Sequence, residues 1–403
     1  MPSSKTGPDS GTAAPRLRVE PVERRAISAL AAIYAVRMLG LFLLLPVLAL
    51  YARSLPGATP VMVGLAMGAY GLTQAILQIP FGLVSDRIGR RPVILAGLVL
   101  YAAGSLIGAL ATGIWGIVAA RMVQGSGAVS GPVSALLADL TRPQIRTRAM
   151  AFIGASIGAS FIVSLVAAPL LEPLVGVVGI FWTMLGLAVL SIVLLYTVVP
   201  QAGPESAPAQ SGRDGRLADA WSLMLAPYYL GIFALNFVLT ATFVGVPLAL
   251  RDVLEIATQS HWQTYVGVFA ASVLPTIALV LATERSGAPR GMLRGSILLL
   301  AASLGGLAVG YQSYWLLFGL LAAFFTAFNY LEARLPARLS QVAPVAVRGA
   351  ALSIFATMQF LGAFCGGLSA GALLGTRFGI AAVFAGSAVL SVVWLALHRE
   401  DPG

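Results

Sequence analysis

The chain has 403 residues, of which 58% are hydrophobic and only 10% are charged, and its mean hydropathy is +0.90. A soluble globule of this length needs more polar side chains at its surface, so the composition excludes that class and indicates a protein embedded in a lipid bilayer. The net charge of +10 is compatible with a nucleic-acid partner, but the bases are placed as membrane topology requires, and we expect no nucleic acid.

Long apolar stretches recur along the whole chain, separated by short polar turns. A helix needs about 20 apolar residues to cross the hydrocarbon core of a bilayer. We predict twelve membrane spans, at 28–51, 62–85, 92–111, 114–138, 147–171, 176–199, 221–250, 261–283, 292–310, 314–335, 348–373 and 378–397. Because the links are short, neighbouring spans are expected to be antiparallel. The predicted fold class is an all-α integral membrane protein.

The polar segments divide the chain into two halves. The first residues contain Ser, Gly, Pro and charges without apolar periodicity, which predicts a disordered tail and no cleaved signal peptide. The widest internal gap has the composition of a flexible linker. The predicted organisation is a tail over 1–25, a six-helix bundle over 26–199, a linker over 200–220, a second six-helix bundle over 221–398 and a tail over 399–403.

The two halves show weak internal similarity, which is expected when repeated units surround a central pathway. Span 5 opens with Arg146-Thr-Arg-Ala-Met-Ala-Phe, and span 11 opens with the similar Arg348-Gly-Ala-Ala-Leu-Ser-Ile. The sequence therefore predicts two pseudo-symmetric bundles.

Lys and Arg are distributed unevenly between the two predicted faces of the membrane. They concentrate in the N-terminal tail, in the loops after even-numbered spans and at the C-terminus, whereas the opposite face carries Arg53, Arg251 and Arg377. By the positive-inside rule, both termini and the central linker are expected to be cytoplasmic, beside anionic lipid headgroups.

Few residues suit metal, redox or enzymatic chemistry. Cys365 is the single cysteine, so no disulfide forms within the chain, and His261 and His398 have no Cys or carboxylate at ligand spacing. No phosphate-binding loop of the G-x-x-x-x-G-K-[ST] type is present. We expect no metal, no cofactor and no enzymatic activity, and uphill transport would use an ion gradient, most simply that of protons.

A dense charged turn lies between spans 2 and 3, with the sequence Gly82-Leu-Val-Ser-Asp86-Arg87-Ile-Gly89-Arg90-Arg91-Pro92. Asp86 closes span 2, and Gly89 permits a tight turn. The turn resembles the G-x-x-x-D-R-x-G-R-R signature loop of major facilitator transporters, in which the aspartate engages the partner half and favours one access state. The resemblance implies a conformational switch formed by Gly82, Asp86, Arg87, Gly89, Arg90 and Arg91. The alternative, in which the arginines only anchor the topology, stays open.

Two arginines are predicted inside the hydrocarbon. Arg121 lies about 10 Å and Arg37 about 15 Å along their spans. Exposure of a guanidinium to lipid costs several kcal/mol, so each must face a cavity or a partner. Arg121-Met-Val-Gln124-Gly125-Ser-Gly127 is similar to the family element R-x-x-Q-G-x-G, and the segment from Arg37 to Pro46 resembles span 1 of bacterial YajR-type transporters. For Arg121 we keep two interpretations, namely a group that responds to proton movement through a neighbouring carboxylate and a structural hydrogen-bond hub.

Glu332 in span 10 is the key predicted acid. It is expected in the inner half of the membrane, where an unpaired carboxylate would have a raised proton affinity. Such a group could alternate between protonated and ionised forms as access changes, which proton coupling requires. The alternative is a permanent ion pair with Arg334 or with a base on a neighbouring span. Asn329 and Tyr330 would orient the carboxylate or contact a substrate. Weaker candidates for the substrate cavity are Gln74, Gln78, Asn236 and Gln359.

The resemblance covers nearly the whole membrane portion and implies the major facilitator fold, with twelve helices in two bundles. YajR-type drug/proton antiporters can carry a soluble C-terminal domain, and we expect none here. The function implied is that of a monomeric transporter of the bacterial inner membrane that exports a small amphipathic or drug-like molecule in exchange for protons by alternating access. Two alternatives stay open: an uptake symporter or uniporter of the same fold, and a transport-dead membrane receptor or scaffold.

Overall fold

A computed structural model describes residues 20–200, 217–222, 224–286 and 289–398. The parts of the predicted tails and linker at 1–19, 201–216 and 399–403 lie outside the described residues. The first half contains α1 (Pro21–Leu43), α2 (Leu48–Ser54), α3 (Pro60–Ile88), α4 (Arg90–Leu110), α5 (Ile114–Ser126), α6 (Ser130–Asp139) and α7 (Pro143–Thr197). Helix α1 begins at Pro21, so the helical structure starts within the predicted tail.

The second half contains α8 (Leu217–Ala220), α9 (Ala226–Leu248), α10 (His261–Ser286), α11 (Pro289–Gly310), α12 (Tyr314–Val342), α13 (Arg348–Leu374) and α14 (Gly379–Leu397). A π-helical turn, Ala249–Val253, extends α9, and a 3₁₀ turn, Thr258–Ser260, precedes α10. Within the described residues, ten helices are long and apolar enough to cross a membrane.

The difference between these ten helices and the twelve predicted spans has two sources. Predicted span 4 is broken at 127–129 into α5 and α6, neither of which is long enough alone. Predicted spans 5 and 6 are joined in α7, which has 55 residues. A straight helix of that length would measure about 80 Å, far more than the thickness of the hydrocarbon core.

Helix α7 reverses direction near Gly176. This residue has φ +66° and ψ 175°, a left-handed conformation that favours glycine. Both ends of α7 lie beside the start of α1. Arg142, directly before α7, forms an ion pair with Glu23 (2.9 Å), and Arg25 donates a hydrogen bond to the carbonyl of Thr197 at the end of α7 (3.0 Å). The helix therefore crosses the membrane twice, as the two predicted spans require.

The start of α1 defines the near face of the molecule, and the opposite surface is the far face. In the second half, α13 runs parallel to α9. A Cβ atom on Gly362 would lie 2.2 Å from the carbonyl oxygen of Phe233, and one on Gly366 would lie 2.2 Å from that of Phe237. Helix α14 runs antiparallel to α9, because its end, at Trp394, contacts Gly231 near the start of α9. The starts of α9 and α13 and the end of α14 thus share one face.

Candidate functional site

The two halves meet through glycines of α3 and the facing segment of α13. A Cβ atom on Gly64 would lie 2.2 Å from the carbonyl oxygen of Gly367, and one on Gly71 would lie 2.5 Å from that of Phe360. The pairing is antiparallel and occupies the first part of α3 and the last part of α13. Such small-residue packing lets helix backbones approach closely in a membrane.

Other contacts between the halves lie at the same depth in the membrane as these glycines or nearer the far face. The ring of Phe161 on α7 lies 6.0 Å from that of Phe243 on α9 and 5.5 Å from that of Phe269 on α10. At the far face, Arg53 forms a two-point ion pair with Asp252, whose second hydrogen bond measures 2.9 Å. These contacts close the interface between the halves in the far half of the membrane.

The predicted switch loop lies at the near face and bonds within its own half. Asp86, whose side chain is 46% exposed, forms an ion pair with Arg90, and Arg90 also contacts Asp139 (3.4 Å). Gly89 has φ +96°, so the turn requires a residue without a side chain. No atom lies within 4 Å of a Cβ built on Gly82, so packing in this conformation does not require a glycine there. Of the other loop residues, Arg91 donates to the carbonyl of Val199, and Arg87 is exposed.

A polar network fills the middle of the first half. Nη2 of Arg37 donates to the Tyr70 hydroxyl (2.9 Å), to Oε1 of Gln74 (3.1 Å) and to the carbonyl of Gly127 (2.5 Å). That carbonyl lies at the break between α5 and α6, where intrahelical hydrogen bonds are lost. Gln74 then donates to Gln78 (2.9 Å). Arg37 therefore stabilises the break and joins α1 to α3.

Each residue of the R-x-x-Q-G-x-G element has an identifiable contact. Arg121 donates to Gln124 (3.2 Å), and its guanidinium carbon lies 5.0 Å from the centre of the Tyr70 ring. A Cβ atom on Gly125 would lie 2.2 Å from the Tyr70 carbonyl oxygen, and one on Gly127 would lie 2.3 Å from that of Gly97. The two glycines let α5 approach α3 and α4, and this approach brings Arg121 onto Tyr70.

The second half has a smaller polar cluster around Glu332 on α12. Its Oε1 accepts a hydrogen bond from the Gln359 amide on α13 (2.9 Å), whereas the amide of Asn236 on α9 donates to the carbonyl of Ile232 (3.2 Å). Its Oε2 is buried and has no hydrogen-bond partner within the described part of the chain. None of the ion pairs among the described residues involves Glu332, and Arg334 instead lies over the Tyr330 ring, 6.0 Å from its centre.

The Arg37 network of the first half and the Glu332 cluster of the second half lie at similar depth on either side of the interface. Glu332 is ten residues, about 15 Å, from the end of α12 at the near face and 18 residues from its start, so it lies in the near half of this membrane-spanning helix. Gln359 precedes Phe360, whose ring lies 6.4 Å from that of Tyr70. The Arg37 network and the Glu332 cluster are thus neighbours across the glycine contact.

The two remaining predicted cavity residues on α12, Asn329 and Tyr330, have different environments. Tyr330 is fully buried, and its hydroxyl lies 2.9 Å from that of Thr283 on α10, inside the second half. Asn329 is half-buried and forms no hydrogen bond within the described residues. Tyr330 therefore joins α12 to α10 and does not face the other half in this conformation.

Sequence reasoning missed the tyrosines that surround the two arginines. Tyr70 contacts both guanidinium groups, and the ring centre of Tyr101 on α4 lies 6.0 Å from the guanidinium carbon of Arg37. Tyr70 lies four residues before Gln74 on the same helix face. That spacing was the available signal.

Buried charges within the membrane-spanning region, two helical halves and an interface closed at one face only define a secondary transporter of the α-helical membrane class. The family profile described as Major Facilitator Superfamily matches residues 30–331, and the chain belongs to this family of transporters. It is a multi-pass membrane protein. Among the described residues, no group of three or more His, Cys, Asp or Glu side chains could hold a metal ion.

Similar proteins and solved structures include proteins described as transporters. The chain is 38% identical to the inner membrane transport protein YajR of Escherichia coli, over 96% of this chain and 86% of that protein. It is 37% identical to multidrug resistance protein D of the same species, over 27% of this chain and 26% of that protein. A bacterial homologue of the human lysosomal transporter Spinster has the same fold, with a TM-score of 0.70 at 14% identity, over 94% of this chain and 95% of that chain.

Proposed function

We propose that the protein exports a small amphipathic or drug-like molecule in exchange for protons by alternating access. The membrane is the bacterial inner membrane, with the near face in the cytoplasm. The description of YajR as an inner membrane transport protein and the names of the drug-resistance relatives support this proposal, as does the concentration of bases near the termini. The proton gradient supplies the energy, no cofactor is needed, and the functional unit is a monomer.

The observation that carries the proposal is the environment of Glu332. Its carboxylate lies within the membrane-spanning part of α12, its hydrogen-bond partner is an amide, and none of the basic side chains in the described part of the chain forms an ion pair with it. A permanent salt bridge would hold the ionised form, whereas an amide can accompany either the ionised or the protonated carboxyl group. Glu332 is therefore suited to accept a proton in one access state and to release it in the other.

The contacts between the halves support alternating access. The glycines of α3 and α13 close the far half of the membrane, so a substrate would enter this conformation from the near face. In the opposite state these contacts must separate, and the near halves of the bundles must approach. The exposed Asp86 and the open space at Gly82 leave the switch loop available for contact with the second half in that state.

The test is proton flux in proteoliposomes with a pH-sensitive dye inside. The variants are Glu332→Gln, which removes the titratable group, and Glu284→Gln, which removes an exposed acid at the near end of α10. Pooled amphipathic compounds are screened for substrate-dependent flux. We expect flux in the wild type and in Glu284→Gln, and its loss in Glu332→Gln.

Other results would reject parts of the proposal. Equal flux in all three proteins would exclude Glu332 from coupling. Uptake of a compound with protons would reverse the direction. Tight binding of a compound without flux in any protein would favour the receptor or scaffold alternative.

A further inference from the structure

Two full positive charges lie inside the first half, and no acid in the part of the chain that the structure describes forms an ion pair with them. Arg37 is 1% exposed and Arg121 is 2% exposed. The described acids of this half lie at or near helix ends, at Glu20, Glu23, Asp86 and Asp139, or near the reversal of α7, at Glu172. Uncompensated buried charges cost several kcal/mol each, so a counter-charge is expected.

The same place contains several buried polar atoms without hydrogen bonds. They are Nε and Nη1 of Arg37, Nε of Arg121 and the hydroxyl of Tyr101. More than nine in ten buried polar groups in proteins have a partner. Guanidinium nitrogens only donate, and a tyrosine hydroxyl can donate as well. The cluster therefore has unused hydrogen-bond donors, which an acceptor could pair with.

The free donors belong to one connected group. Tyr70 links the two arginines, since its hydroxyl accepts from Arg37 while its ring lies under Arg121. Tyr101 lies beside Arg37, and its hydroxyl points at α1, where a Cβ atom on Gly40 would lie 2.2 Å away. Gly40 thus leaves space for this hydroxyl on the helix that carries Arg37.

We propose that Arg37, Arg121 and Tyr101 bind one anionic group inside the first half. Two buried cations exclude a cationic ligand, and their unpaired N–H groups, with the Tyr101 hydroxyl as a further donor, favour an anion. The ligand is either a halide-sized inorganic ion or the carboxylate of an amphipathic organic anion. Glu332 is not part of this site, and the proposal does not depend on the direction of transport, so it is tested by binding alone.

The first measurement is thermal unfolding of purified protein, followed by tryptophan fluorescence, as chloride replaces gluconate at constant ionic strength. A ligand that binds the folded state raises Tm in a saturable way. We expect saturation in the wild type and in Arg377→Gln, which removes an exposed arginine at the far face. We expect at least a tenfold increase in the half-saturating chloride concentration in Arg37→Gln and Arg121→Gln.

Where a glutamine variant does not fold, the lysine variant replaces it. Lysine keeps the charge but lacks the planar fork of donors, so weaker binding with an intact fold is expected. A Tm that changes linearly with chloride, or identically in all variants, would show a general salt effect and exclude a chloride site.

The second measurement distinguishes the sources of the anion. The probes are 1-naphthoate and its uncharged amide, 1-naphthamide, in chloride-free buffer. Stabilisation by naphthoate alone, lost in the Arg37 and Arg121 variants, would identify the carboxylate of an organic anion as the ligand. Chloride binding without a naphthoate effect would support the site with an inorganic counter-ion. No stabilisation by either probe would overturn the proposal. Binding in detergent needs no proton flux, so this result is independent of the flux assay.

Discussion

Replacement of Gly64 by alanine tests whether the glycine contact controls the access state. A Cβ atom there would lie 2.2 Å from the carbonyl oxygen of Gly367 and 2.7 Å from Cα of Gly371. These are backbone atoms, so no side-chain rotation can relieve the overlap, and the two helices must separate by about 1 Å to reach van der Waals distance. Overpacking of this kind costs about 1–3 kcal/mol.

Only the conformation that closes the far half carries this cost. The gain in helix propensity from Gly to Ala, about 1 kcal/mol, applies to both access states and cancels in their ratio. The equilibrium should therefore shift away from the far-closed state by about 5- to 140-fold, because 1.4 kcal/mol corresponds to a factor of ten. A matched control is Gly186→Ala, since no atom lies within 4 Å of its Cβ position.

Distances between spin labels at the far face measure this shift. Thr112 and Gln312 are exposed in far-face loops of the two halves, and Cys365→Ser removes the native thiol. The doubly labelled Gly64→Ala protein should populate longer distances than the doubly labelled Gly186→Ala protein. Identical distance distributions in the two proteins would refute the assignment of α3 and α13 as the far-side closure.

Three smaller predictions follow from single contacts. Asp252→Asn removes an exposed ion pair with Arg53 that is worth about 0.2–1 kcal/mol, so it should shift the access equilibrium by less than about fivefold. Exchanging the two residues, so that the charges are swapped, should restore the equilibrium. A larger shift in the label distances would contradict this estimate. Gly89→Ala places a side chain at φ +96° and should lower stability by about 1–2 kcal/mol, which an unchanged denaturation midpoint would disprove. Tyr330→Phe removes the hydrogen bond to Thr283 and should cost about 0.5–1.5 kcal/mol of stability while proton flux continues. Loss of flux in a stable Tyr330→Phe protein would return this residue to the transport pathway.

The fold could be predicted from the sequence because the bilayer imposes a length on each apolar segment. The predicted membership in the major facilitator fold is confirmed by the family profile and by the solved structures. The two local differences were not predictable from hydropathy. The break at 127–129 depends on close contacts of α5 with α3 and α4, and the continuity of α7 depends on how Gly176 turns.

The candidate site was only partly accessible to sequence reasoning. The energetic cost of burial singled out Arg37, Arg121 and Glu332, because a charge within a long apolar span needs a partner. The identity of the partners depends on helix rotation and packing, which no span boundary fixes. Glu332 therefore meets Gln359 across two helices and not the nearby Arg334, and the roles proposed for these residues stay predictions until flux and binding are measured.

The charges of the two halves determine the sign of the coupling between proton and cargo. Glu332 is negative when ionised and neutral when protonated, whereas Arg37 and Arg121 remain positive. A cationic cargo binds better beside ionised Glu332, so proton and cargo exclude each other and exchange follows. An anionic cargo held by the arginines binds better when Glu332 is protonated, and because linkage is reciprocal, the proton and that anion would travel together. A cargo affinity that falls on acidification therefore supports export by exchange, whereas an affinity that rises on acidification supports the uptake symporter. In either case, Glu332→Gln should remove the dependence of cargo affinity on pH.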